Sequence, residues 1–490
     1  MATAHKVKRA LAWSTVNNVV LRVSNLAVGI LLARLLSPEE FGVFAVAMTA
    51  LAIVMALADL GMSADIVRHG VQGRAGTVTT ISMVTSALLT AGMWLAAGPV
   101  SDAMGSPQAA PVVRVMSLTL LLSGLSVVPY AIMQREYRQS AQMGLDTTSF
   151  VLGTALTVGF VLLGMGAMAL ALSRVIAQAV VTVFQFILTR TRPVFGFDRG
   201  VTGQLLVFGV PLAAANVLSW VVMNAGHLTV GAVAGTVMLG LYTLAFNIST
   251  WPMSALGMAI RVVALPAFAG TRDDARRADG FVAAAALTWG VALLVGVGLS
   301  ALAPVIVPLL YGERWSPAAA ALAGLAVFGA LRVLFDLIAT FLIAVGASRP
   351  VLVVQAVWLV VLLPAVIVGQ REFGLAGTGW AQVIVCAVLV LPLYAVFLRR
   401  HHVPLGTFAL RLLAPALLAV PAVLAGRWAV TVVSGAFPRL LLGGAVTAAV
   451  YVVPLLPWLR RRLAELRGIA SDPAVTTEID QAALAVAAKG

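Results

Sequence analysis

Apolar residues along this chain come in long blocks of about 18 to 28, separated by short polar stretches. A bilayer core about 30 Å thick needs about 20 apolar residues per helix, so each block is long enough to cross a membrane. The pattern predicts fourteen membrane-spanning helices, at residues 11–35, 41–66, 76–98, 110–133, 142–164, 166–189, 203–227, 236–261, 281–303, 318–345, 351–369, 375–398, 407–427 and 438–458.

The overall composition agrees with this pattern. Of the 490 residues, 61% are hydrophobic and only 10% are charged, whereas a soluble domain carries charge on about a quarter of its residues. We therefore expect an all-α polytopic membrane protein.

The net charge of +14 follows the predicted topology. If the N-terminus is cytoplasmic, most of the 32 Lys and Arg residues fall in inward loops and in the inward tail, as the positive-inside rule requires. The outward segments hold few basic residues, namely Arg34, Arg314, Arg371, Arg427 and Arg439. We expect both termini in the cytoplasm and anionic membrane lipids as partners, and a nucleic-acid partner is disfavoured.

A weak internal repeat relates the two halves of the chain. At an offset of 198 residues, Asn18-Val19 aligns with Asn216-Val217, and Phe41-Gly42-Val43-Phe44 aligns with Leu239-Gly240-Leu241-Tyr242. Such repeats are common in transporters. The sequence predicts an N-terminal six-helix lobe (1–199), a second six-helix lobe (200–400), a terminal helix pair (401–458) and a cytoplasmic tail (459–490).

Signatures of catalysis are missing from the sequence. It contains no GxxxxGK[ST], HExxH or GxSxG motif, and its only lysines are Lys6, Lys8 and Lys489. The predicted outward loops are also too short to carry a catalytic domain that acts on sugars. We therefore expect a transporter that needs no cofactor, rather than an enzyme.

Polar residues inside predicted spans mark the candidate binding site, because they are costly in hydrocarbon and usually face a bundle interior or a water-filled cavity. The first helix places Ser14, Asn18, Arg22 and Asn25 on one face, with Arg22 near the midplane. The repeat-related stripe on the seventh helix contains Asn216, Ser219, Trp220, Asn224 and His227. Interhelical hydrogen bonding is the structural alternative for each Asn and Ser.

Other polar positions extend this pattern. The sixth helix carries Arg174, Gln178, Thr182 and Gln185, and the tenth carries Arg332 with Asp336 one turn later. Arg332 and Asp336 can neutralise one another or take part in binding and gating. Asp59 can pair with Arg22 or bind a coupling H⁺ or Na⁺.

Deep charges are mainly basic, and guanidinium groups match phosphate oxygens in bidentate fashion, so an anionic, phosphate-bearing substrate is favoured. The predicted substrate-binding residues are Asn18, Arg22, Asn25, Arg174, Asn216, Trp220, Asn224 and Arg332. The residues predicted for coupling or gating are Asp59 and Asp336.

The segment LARLLSPEEFGVFAVAMTALAIVMALADLGMSADIV, after the first helix, resembles the start of Wzx-type polysaccharide transporters of the multidrug/oligosaccharidyl-lipid/polysaccharide (MOP) flippase superfamily. The resemblance implies a MATE-like pair of six-helix bundles. It also implies a bacterial cytoplasmic membrane flippase that moves undecaprenyl-pyrophosphate-linked oligosaccharide outward by alternating access, with a polysaccharide polymerase as a candidate partner. Family members commonly have basic residues in the cavity, and Arg22 matches that pattern while Trp220 departs from it.

Two other functions remain open at this point. One is a secondary exporter of small amphiphiles on the same fold. The other, less favoured, is a membrane polysaccharide polymerase or ligase.

Overall fold

The structure is a computed structural model that describes residues 27–58, 62–136, 138–270 and 274–470. Within these ranges the regular secondary structure is helical, and no strand is found. A bilayer accounts for this, since backbone N–H and C=O groups in hydrocarbon must be satisfied within the segment or by a closed barrel.

The first part of the chain contains seven helices. Helix α1 is described over residues 27–35, and a short polar turn leads into α2. The following helices are α2 (Pro38–Ala58), α3 (Met62–His69), α4 (Ala75–Ala103), α5 (Ala110–Arg135), α6 (Gln139–Leu162) and α7 (Ala167–Thr189).

The second part of the chain contains longer helices. They are α8 (Arg199–Gly270), α9 (Asp274–Tyr311), α10 (Ala318–Ala344), α11 (Ser348–Val385), α12 (Leu391–Arg399), α13 (Leu405–Val432) and α14 (Ala436–Ala470). A π-helical turn, Cys386–Val390, joins α11 to α12 directly before Pro392.

Two of these long helices are each broken at one glycine. Gly235 interrupts α8 with φ 78°, and Gly374 interrupts α11 with φ 59°. A side chain would strain the backbone at these positive φ angles, whereas glycine adopts them readily. Each break divides one continuous helix into two membrane spans.

The number of spans agrees with the sequence prediction. Eleven helical runs in the described residues are long and apolar enough to cross a membrane, and the breaks at Gly235 and Gly374 lie inside two of them. Counting each broken run as two gives thirteen spans, at the positions predicted for the second to the fourteenth. Most of the first predicted span, 11–35, lies outside the described residues. The prediction of an all-α polytopic protein is confirmed.

The described residues form two compact units. The first unit holds those up to Asn224 together with Ala234–Gly240, and the second unit holds Ala225–Val233 with those from Leu241 onward.

In the first unit, α4 packs on α5, and α5 packs on α2 and α7. Close helix approach there depends on glycine, as is typical in membranes. A Cβ on Gly124 would collide with Ser86 of α4, and a Cβ on the repeat-related Gly240 would collide with the backbone of Pro38 and Gly42.

In the second unit, α10 packs between α9 and α11. A Cβ on Gly324 would lie 2.6 Å from the backbone carbon of Gly379, so α10 and α11 touch backbone to backbone. The terminal helices α13 and α14 pack on each other and on α9. Two buried hydrogen bonds hold them to α9: Trp289 Nε1 donates to the Leu412 carbonyl at 3.0 Å, and Tyr451 Oη donates to the Gly290 carbonyl at 3.0 Å.

Candidate functional site

The residues predicted to bind substrate are only partly within the described structure. Asn18, Arg22, Asn25 and Asp59 lie outside the described residues. The remaining predicted residues fall on three helices, with Arg174 on α7, Asn216, Trp220 and Asn224 on α8, and Arg332 and Asp336 on α10.

The α8 stripe lies within the first unit. Asn216, Trp220 and Asn224 are each half-buried, as expected for polar side chains on the inner face of a membrane helix. Asn224 Nδ2 donates to the carbonyl oxygen of Trp220 at 3.0 Å, so one donor of this side-chain amide is bonded within its own helix. Arg174 on α7 is exposed and has no ion-pair or hydrogen-bond partner among the described side chains.

The rest of the α7 stripe faces the interior of the first unit. Thr182 Oγ1 lies 2.8 Å from Ser126 Oγ of α5, which links two neighbouring helices. Gln178 and Gln185 instead line a cavity of about 420 Å³. We call this space the serine cavity, because six serines contribute to its wall: Ser63, Ser82, Ser86, Ser123, Ser126 and Ser149.

Asp146 of α6 also lines the serine cavity. Asp146 was not among the predicted site residues, because it lies in the first turns of its predicted span and resembles an interfacial residue. Its spacing to Ser149, three residues later on the same helical face, is the signal that could have identified it.

In the second unit, Arg332 is half-buried on α10. Its guanidinium carbon lies 6.0 Å from the ring centroid of Phe246 and 5.8 Å from that of Phe328, distances typical of cation–π contacts. Asp336 lies one turn further along, and its side chain is exposed. Asp336 acts electrostatically on the Arg332 guanidinium, and the structure also places that guanidinium against aromatic rings.

A buried aromatic and amide cluster surrounds that position. His227 lies edge-on to the rings of Tyr242 and Phe246, with centroids 5.0 and 4.7 Å apart. Gln382 Nε2 donates to Tyr242 Oη at 2.9 Å across 140 positions of sequence. This cluster was not predicted, since a tyrosine and a glutamine in two separate spans give no local sign in the sequence that they meet.

The second unit contains another large cavity, which lies between α9, α10, α12 and α13. It has a volume of about 670 Å³, and apart from Ser300 its wall is apolar. We call it the apolar groove. Its lining includes Leu293, Leu334, Pro392, Leu412, Ala416 and Val420.

Solved structures with the same architecture define the fold. The structure matches the lipid II flippase MurJ in its inward closed conformation with a TM-score of 0.74 and 13% identity, covering 92% of this chain and 99% of that one. An inward-facing multidrug resistance MATE transporter of the MOP superfamily matches with a TM-score of 0.61 and 19% identity, over 77% of this chain and 94% of that one. The chain therefore has the MOP transporter fold.

Curated relatives have names from polysaccharide biosynthesis. The chain is 23% identical to the lipopolysaccharide biosynthesis protein WzxC of Escherichia coli (strain K12), over 81% of this chain and 82% of that protein. It is 24% identical to the succinoglycan biosynthesis transport protein ExoT of Rhizobium meliloti (strain 1021), over 64% of each chain. It is 20% identical to the teichuronic acid biosynthesis protein TuaB of Bacillus subtilis (strain 168), over 69% of this chain and 71% of that one.

A family model described as polysaccharide biosynthesis protein matches residues 31–320. The chain belongs to this family. It is a multi-pass membrane transporter of polysaccharide biosynthesis, not a catalyst, and the resemblance stated from its sequence is confirmed.

Proposed function

We propose that this protein flips a lipid-linked oligosaccharide across the membrane. The observation that carries the proposal is the family match over residues 31–320 within a MOP fold that covers 92% of the chain. One relative is named as a transport protein of succinoglycan biosynthesis, and one structural neighbour is named as a lipid II flippase. Flipping requires no covalent chemistry, which agrees with the missing catalytic motifs.

The finer proposal concerns the substrate and its path. The carrier is undecaprenyl pyrophosphate, and the head group moves from the inner to the outer leaflet by alternating access of two six-helix lobes. Arg22, Arg174 and Arg332 are the proposed contacts of the pyrophosphate, because guanidinium groups bind phosphate oxygens strongly. Asn18, Asn25, Asn216, Trp220 and Asn224 are proposed contacts of the head group, and Asp59 and Asp336 are proposed for coupling or gating.

The two cavities support an amphiphilic substrate. The serine cavity presents hydroxyl, amide and carboxylate groups, while the apolar groove presents almost only hydrocarbon. Transferring a long hydrocarbon chain between bilayer and groove exchanges one apolar environment for another, which makes the groove a suitable site for a polyprenyl tail.

The proposed location is the bacterial cytoplasmic membrane, with both termini in the cytoplasm. The basis for this orientation is the excess of Lys and Arg in alternate loops. Anionic lipids would contact these loops, and a polysaccharide polymerase would take the flipped product.

The test is a deletion strain in which lipid-linked oligosaccharides are quantified by mass spectrometry and each leaflet is probed separately. We expect accumulation confined to the inner leaflet, reversed by the wild-type gene. Accumulation of polymerised glycan outside the cell would contradict the proposal and favour a ligase. Unchanged glycolipids together with lost tolerance to amphiphilic drugs would favour a small-molecule exporter.

The same strain tests the role of Arg332. Arg332→Gln removes the charge but keeps a polar side chain, and we expect it to reduce flipping. Arg349→Gln, at an exposed position at the start of α11, is the control and should restore flipping fully. Equal activity of the two variants at equal protein levels would remove Arg332 from the proposed site.

A further inference from the structure

The serine cavity contains a polar group that lacks a partner. Gln185 of α7 is 7% exposed, and its Oε1 has no hydrogen-bond partner among the described residues. Leaving a buried acceptor unsatisfied is costly, so an amide retained in this state is suited to a ligand that donates a hydrogen bond. Because Gln185 lines the cavity, this acceptor is available to a ligand that occupies the cavity.

The other lining groups define the chemistry of that ligand. Ser123 and Ser149 present hydroxyls that both donate and accept, and Gln178 presents a second amide about two turns before Gln185. The half-buried or exposed side chains of Ser123, Ser149 and Gln178 are accessible from the cavity, as is the carboxylate of Asp146. A ligand with several hydroxyl groups would satisfy donors and acceptors of this kind together.

Charge argues against the phosphate portion of the substrate at this position. Asp146 is the acidic residue of the cavity wall, and no Lys, Arg or His is found among the described side chains that line it. The carboxylate of Asp146 repels a pyrophosphate or an acidic sugar, whereas it accepts hydrogen bonds from neutral hydroxyl and amide groups.

Size argues against a bare cation as the sole occupant. The volume of about 420 Å³ falls within the range of about 300–1,000 Å³ found for small-molecule sites. It also exceeds by more than tenfold the share of about 30 Å³ that one water occupies in the liquid. A sugar residue fills such a space better than a single ion.

We infer that the serine cavity is a sugar subsite, which binds an uncharged sugar of the lipid-linked oligosaccharide through Asp146, Ser149, Gln178 and Gln185. This inference rests on the proposed function and adds to it a place for the neutral part of the head group. It separates that place from the arginines proposed to contact the pyrophosphate.

The experiment compares two probes on the full-length protein in nanodiscs. One probe is the lipid-linked oligosaccharide extracted from the deletion strain, and the other is undecaprenyl pyrophosphate without sugar. We expect Gln185→Met and Gln178→Met to weaken binding of the first probe about tenfold, as expected for the loss of a hydrogen bond in a buried site. Binding of the second probe should stay within about twofold of wild type.

A matched control removes an amide elsewhere in the first unit. Gln142 lies on α6, the same helix as Asp146, but does not line the cavity. Gln142→Met should leave the binding of both probes unchanged. Melting temperatures equal to wild type establish that each variant folds.

Several outcomes would overturn the sugar subsite. Equal loss of both probes in folded Gln185→Met would place the pyrophosphate in the cavity, and wild-type binding of both probes would remove the cavity from the substrate path. If Asp146→Asn abolished the dependence of transport on an ion gradient while leaving glycan affinity unchanged, the cavity would be a cation site. Failure of the wild-type protein to prefer the glycosylated probe, with no glycolipid accumulation in the deletion strain, would instead contradict the proposed function.

Discussion

The two units of this transporter carry cavities of opposite character. The first unit contains the serine cavity, with two glutamines and a carboxylate, and the second unit contains the larger apolar groove. The contacts within the two units differ in the same way, since the first unit is the more polar. The first unit includes an ion pair between Arg74 and Asp65, while the described contacts around Arg332 in the second unit are mainly aromatic rings and a tyrosine–glutamine hydrogen bond.

Under the proposed function, this difference gives the two units separate tasks. A lipid-linked sugar is itself divided into a hydroxylated head and a hydrocarbon tail, and the serine cavity and the apolar groove each suit one of these parts. The first unit would recognise the sugars of the head, and the second would accommodate the tail and contact the pyrophosphate through Arg332. Substitutions in each unit should then have distinguishable effects.

The largest expected effect comes from blocking the apolar groove. Ala416→Trp places a large side chain in the wall of the groove, and we expect transport to fall at least about tenfold, because the tail is excluded. Glycosylated and sugar-free carriers should lose affinity equally, unlike the selective loss expected for Gln185→Met. Leaflet-resolved mass spectrometry and the two-probe binding assay measure this.

The control for the groove is Ala449→Trp, an exposed position on the neighbouring helix α14 that does not line it. This variant should transport at the wild-type rate. If folded Ala416→Trp transported as well as Ala449→Trp, the groove would have no role in holding the tail.

A smaller effect is expected on the stability of the first unit. Arg74 Nη1 contacts both carboxylate oxygens of Asp65, at 2.7 and 2.8 Å, with side-chain exposures of 16% and 9%. Arg74→Ala leaves a carboxylate that is mostly buried, and we expect a loss of about 2–3 kcal/mol in the free energy of unfolding, somewhat below the cost of breaking a fully buried pair. Unfolding in a denaturing detergent titration measures the change.

The comparison variant for Arg74 is Arg138→Ala. Arg138 pairs with Glu136 at 2.7 Å, but the two side chains are 45% and 47% exposed. Solvent screening limits such a pair to under about 1 kcal/mol. Equal losses of unfolding free energy for the two variants would show that the buried pair stabilises the first unit no more than the exposed pair does.

The smallest effect is expected for Tyr242→Phe in the second unit. It deletes the hydroxyl that accepts from Gln382, whose Nε2 keeps a second acceptor in the Thr378 carbonyl at 3.2 Å. We expect a loss of about 0.6–1.5 kcal/mol. Tyr130→Phe in the first unit removes an exposed bond to Gln134 and should cost less in the same unfolding assay. A larger loss of unfolding free energy for Tyr130→Phe than for Tyr242→Phe would contradict this prediction.

Much of the fold could be predicted from the sequence, because the signal for a membrane helix is local. The blocks near 236–261 and 375–398 were predicted as separate spans, although each follows the preceding span with only one non-helical residue, Gly235 or Gly374, between them. Glycine at these positions could not be identified as a break from the sequence, since the chain contains 44 glycines and most lie within regular helix or turns.

The candidate site was less predictable, because its residues belong to different helices. The stripe that includes Gln178 and Gln185 was visible in the sequence from its helical spacing, while Asp146 was not. Whether a stripe meets a cavity, a neighbouring hydroxyl or an aromatic ring depends on the helix opposite. Arg332 shows this: Asp336, one turn away, was visible in the sequence as a candidate partner, whereas the rings of Phe246 and Phe328, which the guanidinium also contacts, were not.

The sequence by itself determined that this protein is embedded in a membrane through many helices and that it belongs among polysaccharide transporters. Hydrocarbon forces each apolar segment to satisfy its backbone internally, so length and hydropathy are enough to predict the spans. Only the tertiary structure decided where the polar side chains meet. Tyr242 and Gln382, or Ser126 and Thr182, come together because small residues such as Gly124 and Gly324 let helices approach closely, and that packing is a property of pairs of distant segments.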